Sequence, residues 1–269
     1  ASSRSKRAWS GISFSARAGR AFYVPFNVDP PVHPEGREGL LEALRPLLED
    51  PALERVGQNY KYDALVLAGK GVRVPPPAFD TLVASFCAHG ASRRHGLDAQ
   101  ALHYFNEHKI PTTQLLGTGA KAITMDLVPL AEVCEYACED AEVTLRLANE
   151  LPKDLERAGA TTLFHELELP LVSILGAMEE RGIRIDTEFL AQLSAEMEGE
   201  LTEHVHGVQE LAGENVNVNS PKALGELFFE KLRIQDQAGV KRPKRTKTGW
   251  ATDAATLQEK YGELEIVQR

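Results

Sequence analysis

The sequence lacks any uninterrupted apolar run near the ~20 residues that a membrane-spanning helix requires. Its basic beginning, Ala1-Ser-Ser-Arg-Ser-Lys-Arg-Ala, is not followed by the apolar segment of a secretory signal. It also has no initiator Met, so we expect a fragment or a processed chain. These features predict a cytoplasmic protein without a membrane partner.

Cysteine is scarce, and three residues are too few for a disulfide scaffold. Cys134 and Cys138 lie four residues apart in an expected helix, which leaves a zinc pair conceivable. No second Cys/His pair completes such a site, so packing thiols in a reducing cytosol are the better interpretation.

Positive charge is also in deficit, with a formal net charge of −9. This argues only weakly against nucleic-acid binding, because a metal-dependent nuclease gathers carboxylates in its site and phosphate contacts can be local. One local basic run does occur, Lys241-Arg-Pro-Lys-Arg-Thr-Lys247.

The 269 residues are enough for one or two domains, and strand signals are confined to the first part of the chain. A hairpin is predicted over residues 11–26, with Val56-Gly57-Gln58 as a further short strand and residues 182–186 as a β-like link. Helical periodicity predicts nine helices, over 38–48, 60–69, 79–89, 97–105, 130–151, 163–181, 188–211, 221–232 and 254–261. We therefore predict an α/β domain over residues 1–155 and a mainly helical segment over 156–269.

Two polar pairs carry the chemical signal: Asn59 with Asp63, and Tyr136 with Asp140. Each pair is four residues apart, so its members share one helical face. Hydrolysis of a phosphodiester with divalent cations needs carboxylates that converge from separate elements, and Mg²⁺ prefers oxygen ligands. A solvated helix face is the ordinary alternative, and spacing alone does not separate the two readings.

The residues around these pairs resemble the family A DNA polymerases of bacteria. Val56-Gly-Gln-Asn-Tyr-Lys-Tyr-Asp63 is similar to the family's second exonuclease motif, and Glu135-Tyr-Ala-Cys-Glu-Asp-Ala-Glu-Val-Thr-Leu145 to its third. Further segments match in order, from Ala78-Phe-Asp-Thr-Leu82 to Lys247-Thr-Gly-Trp250. The resemblance implies a ribonuclease H-like 3′-5′ proofreading exonuclease over residues 1–155. Residues 156–269 would then form the start of the polymerase domain, with linker helices and the early thumb.

By this resemblance Asp63 and Asp140 hold two Mg²⁺ or Mn²⁺ ions, and Tyr136 orients the attacking water. Four residues are implied to line the single-strand channel: Gln58, Asn59, Tyr62 and Arg94. Their ordinary alternatives are packing within the fold, helix capping or solvation. The implied partners are a single-stranded DNA 3′ end and a primer-template duplex, bound by a monomer at the bacterial nucleoid.

The sequence departs from the family pattern at its beginning, because the first motif, Asp-x-Glu, would precede Ala1. Asp29 is the first acid, and it lies in a proline-rich loop that cannot substitute. We expect a site with two of four carboxylates, an exonuclease domain without its first strand, and little or no activity in these 269 residues. Two other functions stay open: a catalytically dead DNA-binding scaffold of a polymerase, and a stand-alone ribonuclease of the same superfamily.

Two neighbourhoods have weaker signals. By resemblance, Lys244, Arg245 and Lys247 approach duplex DNA, although a solvated loop would look the same. The glutamates flanking Asp140 are expected to face solvent for the most part, with Glu139 as a reserve ligand.

Overall fold

The computed structural model describes residues 10–247 and 249–268. The chain divides into two compact units after Gly182. The predicted domain boundary at residue 155 divides the chain by the character of its sequence and not by its internal contacts, so it stays a prediction. The strand expected to be missing would precede Ala1 and lies outside the described residues.

The first unit opens with the predicted hairpin, which the structure confirms. Strand β1 (Gly11–Arg17) pairs antiparallel with β2 (Arg20–Pro25). Gly19 turns the chain with a φ of 75°, a conformation that glycine adopts without steric cost. Its backbone N–H donates a hydrogen bond of 2.8 Å to Oε1 of Glu142, which ties the turn to the long helix described next.

Helices make up most of the rest of the first unit. They are α1 (Gly36–Glu49), α2 (Tyr60–Ala68), α3 (Thr81–His89), α4 (Leu97–Phe105), α5 (Thr112–Leu116), α6 (Leu130–Arg157) and α7 (Leu169–Arg181), the last entered through a π-helical turn at Leu163–Glu168. Between them, β3 (Val56–Gly57) and β4 (Phe79–Asp80) pair in parallel, with Gly57 opposite Asp80. The unit therefore mixes short strands with helices, as the sequence predicts.

Three local predictions were wrong. Residues 79 and 80 form strand β4 and not the start of a helix, because Asp80 instead caps α3. Helix α6 continues through Pro152 to Arg157, since its buried positions extend past the predicted end at residue 151. Residues 182–186 contain no strand.

The core of the first unit is built on one face of α6. Val143, Leu147, Leu151 and Leu155 recur every four residues and are at most 1% exposed. Phe164 completes this layer, its ring 4.9 Å from that of Phe79 on β4. Burial of each such side chain contributes about 1.5–3 kcal/mol. The N-terminal half of the same helix carries the polar residues considered below.

The second unit is mainly helical, as predicted. It contains α8 (Thr187–Ala212), α9 (Pro221–Gly225), a π-helical turn (Glu226–Lys231), α10 (Ile234–Gln237), α11 (Ala254–Tyr261) and α12 (Glu265–Gln268). Two short strands that the sequence did not predict, β5 (Arg245–Thr246) and β6 (Gly249–Trp250), form an antiparallel hairpin. Its core gathers Leu227, Phe229 and Tyr261. Among the residues described for both units, no helix is long and apolar enough to cross a membrane.

Candidate active site

The end of β3 presents the first polar pair through an unusual backbone turn. Asn59 adopts left-handed angles (φ 60°, ψ 48°), which asparagine tolerates better than most residues. It occupies the N-cap of α2 without a side-chain capping bond. Instead, the backbone N–H groups of Asn59 and Tyr60 donate to the buried carboxylate of Asp80, at 3.2 and 2.8 Å. Asp80 thus fixes the start of the helix that carries Asp63.

Asp63 lies in the first turn of α2 and has no counter-charge within the described residues. None of them donates a hydrogen bond to its carboxylate or forms an ion pair with it. Desolvation by the surrounding protein is the main cause that raises the pKa of Asp63 to about 7, and the negative charges of Asp80 and Asp140 contribute to the same shift. Asp63 is also partly exposed to water, which limits the desolvation. The repulsion from Asp80 and Asp140 is present in either case. A cation beside Asp63 would relieve this repulsion.

The second polar pair lies on α6, where Lys109 meets it. The Lys109 side chain is only 1% exposed, and its ammonium pairs with Oδ1 of Asp140 and, at 3.1 Å, with Oε2 of Glu139. Burial alone would lower the pKa of Lys109, but these two carboxylates raise it overall. Burial raises the pKa of Asp140, although Lys109 and the hydroxyl of Tyr136 act in the opposite direction.

The segment that carries Lys109 makes two more bonds to the same helix. The backbone N–H of Ile110 donates to Oε2 of Glu139 at 2.9 Å, and the hydroxyls of Thr112 and Tyr136 lie 3.1 Å apart. We name residues 109–112 the clamp segment. Sequence reasoning missed it, because Lys109 and Thr112 have no periodicity or motif of their own. It proposed Glu139 only as a reserve ligand, and here that side chain is bound by the clamp segment.

Glu139 and Glu142 differ from the expectation that the flanking glutamates face solvent. Glu139 contacts the clamp segment, whereas Glu142 accepts from Gly19 and from Nε of Arg146 at 2.8 Å each. Both are only half-buried, and both stabilise the position of α6.

The four residues predicted to line a strand channel have different environments. The Gln58 amide is bonded inside the protein, accepting from Thr81 and donating to the carbonyl of His95 at 3.0 Å. By contrast, Tyr62 is 39% exposed, and Asn59 and Arg94 are exposed as well. Their channel roles stay predictions.

In the second unit, the three predicted DNA-contacting cations surround the short hairpin. All three are exposed. The guanidinium of Arg245 stacks 3.7 Å from the centre of the Trp250 ring, and Nζ of Lys244 lies 3.3 Å from the hydroxyl of Thr256. Lys247 follows β5 directly. Trp250 itself stacks on the buried ring of Phe229, so it anchors the hairpin to the core.

No group of three or more Cys, His, Asp or Glu side chains forms a ready metal site in the part of the chain that the structure describes. Asp63 and Asp140 nevertheless fit a divalent cation in chemistry. Both offer carboxylate oxygens, they are close enough for their charges to interact, and Asp63 has no competing donor among the described residues.

Comparison with known proteins defines the class. A family model described as 3′-5′ exonuclease matches residues 3–156, and one described as DNA polymerase family A matches residues 187–269. The chain belongs to the 3′-5′ exonuclease family of the family A DNA polymerases. This confirms the predicted fold class, an α/β ribonuclease H-like exonuclease domain followed by a mainly helical segment.

Particular relatives are DNA polymerases I. The enzyme of Pseudomonas aeruginosa is 34% identical over 261 residues, which is 95% of this chain and 28% of that protein. That of Rhizobium leguminosarum is 37% identical over 221 residues, 81% of this chain and 21% of the relative. The chain thus spans roughly a quarter of these relatives' length.

A solved structure, described as the POL domain of Pol1 from M. smegmatis in complex with a DNA primer-template and dNTP, is also similar. It is 25% identical, has a TM-score of 0.62, and covers 93% of this chain against 38% of its own.

Proposed function

We propose that the first unit is the 3′-5′ proofreading site of a bacterial family A DNA polymerase. It would remove nucleotides from a single-stranded DNA 3′ end by hydrolysis. The observation that carries this proposal is the Asp63 carboxylate, which has no partner among the described residues and lies within electrostatic reach of Asp140. The two belong to separate helices, α2 and α6, as converging cation ligands do.

Asp63 and Asp140 would hold Mg²⁺ or Mn²⁺. When bound, the divalent cations would supply an activated water and neutralise charge on the leaving oxygen. Tyr136, one turn before Asp140, presents a hydroxyl that can orient this water. The hydroxyl of Thr112 lies 3.1 Å from that of Tyr136 and fixes its position.

Asn59 and Tyr62 lie at the start of α2, which carries Asp63, and Arg94 precedes His95, whose carbonyl accepts a hydrogen bond from Gln58. All three are exposed, and we assign them to the path of the single strand. Gln58 would act from within, by fixing the end of β3. The resemblance implies four carboxylates, and these 269 residues supply two of them. We therefore expect little or no trimming by this polypeptide.

Cation binding tests the site without depending on turnover. Titration of the polypeptide with Mn²⁺, followed by electron paramagnetic resonance of the free ion, should show binding that Asp63→Asn and Asp140→Asn each weaken about tenfold or more. Glu150→Gln is the matched control, because this carboxylate lies ten residues beyond Asp140 on α6 and pairs with the exposed Lys153. Equal affinity in all four proteins would contradict the proposal.

A 3′-end trimming assay on 5′-labelled single-stranded DNA complements the titration. Trimming above background should require Mg²⁺ and disappear in Asp140→Asn. Robust trimming that survives this substitution would place the reaction elsewhere. A comparison of DNA with RNA substrates separates the proofreading proposal from the stand-alone ribonuclease.

For the second unit we propose contact with the backbone of a primer-template duplex, through Lys244, Arg245 and Lys247. Exposed cations around a hairpin anchored on the core suit sequence-independent phosphate contacts. Polymerisation itself would belong to the whole enzyme, acting as a monomer in the bacterial cytoplasm at the nucleoid.

A further inference from the structure

Lys109 is a buried ammonium that the exonuclease chemistry does not use. Taking such a group out of water is costly unless opposite charges surround it. Its partners are Asp140, a proposed cation ligand, and Glu139, the residue directly before it on α6. Nζ also lies 5.2 Å from the centre of the Tyr136 ring, on the third functional side chain of the same helix.

Neighbouring bonds show that the arrangement is built and not incidental. The backbone N–H of Ile110 binds Glu139, and the hydroxyl of Thr112 bonds that of Tyr136, both from residues that follow Lys109 in the clamp segment. Ile110 also packs in a small apolar cluster around Leu115 and Val133, which anchors the segment independently of its ionic contacts. The clamp segment thus fixes Tyr136, Glu139 and Asp140 on α6.

The two proposed ligands differ in their balance of charge. Asp140 is opposed by Lys109, whereas Asp63 has no partner among the residues described. An ammonium beside Asp140 repels a divalent cation that approaches this carboxylate. When no cation is bound, the same ammonium supplies part of the positive charge that the cation would bring.

We propose that Lys109 is a positioning residue of the cation site, an internal counter-ion that fixes Asp140 and Glu139 when no divalent cation is bound and competes with that cation for Asp140. The second part of this proposal, competition with the divalent cation, rests on the proposed cation site. The first half, the counter-ion role, concerns the protein without metal.

Lys109→Met tests both halves, because methionine keeps a long flexible stem and removes the charge. In EDTA, the melting temperature should fall by about 5–10 °C, since two carboxylates lose their shared partner. The variant should bind Mn²⁺ about tenfold more tightly than the wild type, because an ammonium no longer opposes the cation. A role in packing alone would not increase cation affinity. Lys109→Arg should restore most of the stability.

Lys153→Met is the matched control, an exposed lysine on α6 paired with Glu150 at 2.7 Å, and it should change neither quantity. A double-mutant cycle in EDTA adds Asp140→Asn, alone and with Lys109→Met. The double variant should lose clearly less stability than the two single losses together. Additive losses, or unchanged or weaker Mn²⁺ binding by Lys109→Met, would overturn the proposal.

If Lys109→Met does not fold in EDTA, we measure whether Mn²⁺ or the additional substitution Asp140→Asn restores the folded state. Failure of both to restore it also overturns the proposal. If the wild type and every variant bind no Mn²⁺, the proposed cation site fails. The EDTA cycle then still decides whether Lys109 acts as the counter-ion.

Discussion

The unpaired charge at Asp63 makes a direct prediction for stability. In the folded chain its pKa is raised from the usual 3.8 to about 7, so the folded state holds the proton more tightly than the unfolded state does. Ionisation of Asp63 therefore destabilises the fold. The penalty is absent below about pH 4, grows as pH rises towards the pKa of the folded state, and is constant above that pKa. Asp63→Asn removes it.

A shift of this size in a fully buried carboxyl would correspond to about 4 kcal/mol. Asp63 is more than a third exposed as a residue, and screening by solvent reduces the figure to about 1–2 kcal/mol. In EDTA at pH 8 we expect Asp63→Asn to melt about 2–8 °C above the wild type. At pH 4 the two proteins should melt together.

Thermal unfolding followed by circular dichroism at pH 4, 5, 6, 7 and 8 measures this difference. Asp126→Asn, an exposed acid of the same unit, is the control and should show no trend. With Mg²⁺ in excess at pH 8, the difference in melting temperature between the two proteins should shrink or change sign, because the cation stabilises only the protein that binds it. A stabilisation by Asp63→Asn that is the same at every pH, or a loss of stability at pH 8, would refute the reasoning.

Two further predictions follow from local geometry. Asn59→Ala should cost about 1–2 kcal/mol in urea unfolding, because alanine resists the left-handed angles at this position, whereas Asn59→Gly should change stability by only a few tenths; equal losses would contradict this account. In the second unit, Arg245→Gln with Lys247→Gln should weaken duplex binding equally for all sequences and reduce the slope of log affinity against log salt by up to about 2; an unchanged slope would exclude phosphate contact by this pair.

The sequence predicts the hairpin and every helix of the first unit except α5, because periodicity and turn residues are local signals. The shared site of Asp63 and Asp140 is implied by the family resemblance and not by these signals. It mistakes strand β4 for helix, since two residues are too short to show alternation. The missed strand matters for the site. It places Asp80 where its carboxylate caps α3 and receives the backbone of Asn59, a contact across 21 residues of chain that no local pattern encodes.

Lys109 marks the limit of what sequence can tell about the site. A lone lysine after a helix is ordinarily solvated, and nothing adjacent to it predicts burial. Only the fold brings it across 31 residues to Asp140 and leaves its side chain 1% exposed. The motif residues name the chemistry, but the charge that opposes them comes from outside the motif. A site recognised by its acidic residues alone therefore has an incomplete charge balance. Substitutions at Lys109 are as informative as substitutions at the proposed cation ligands.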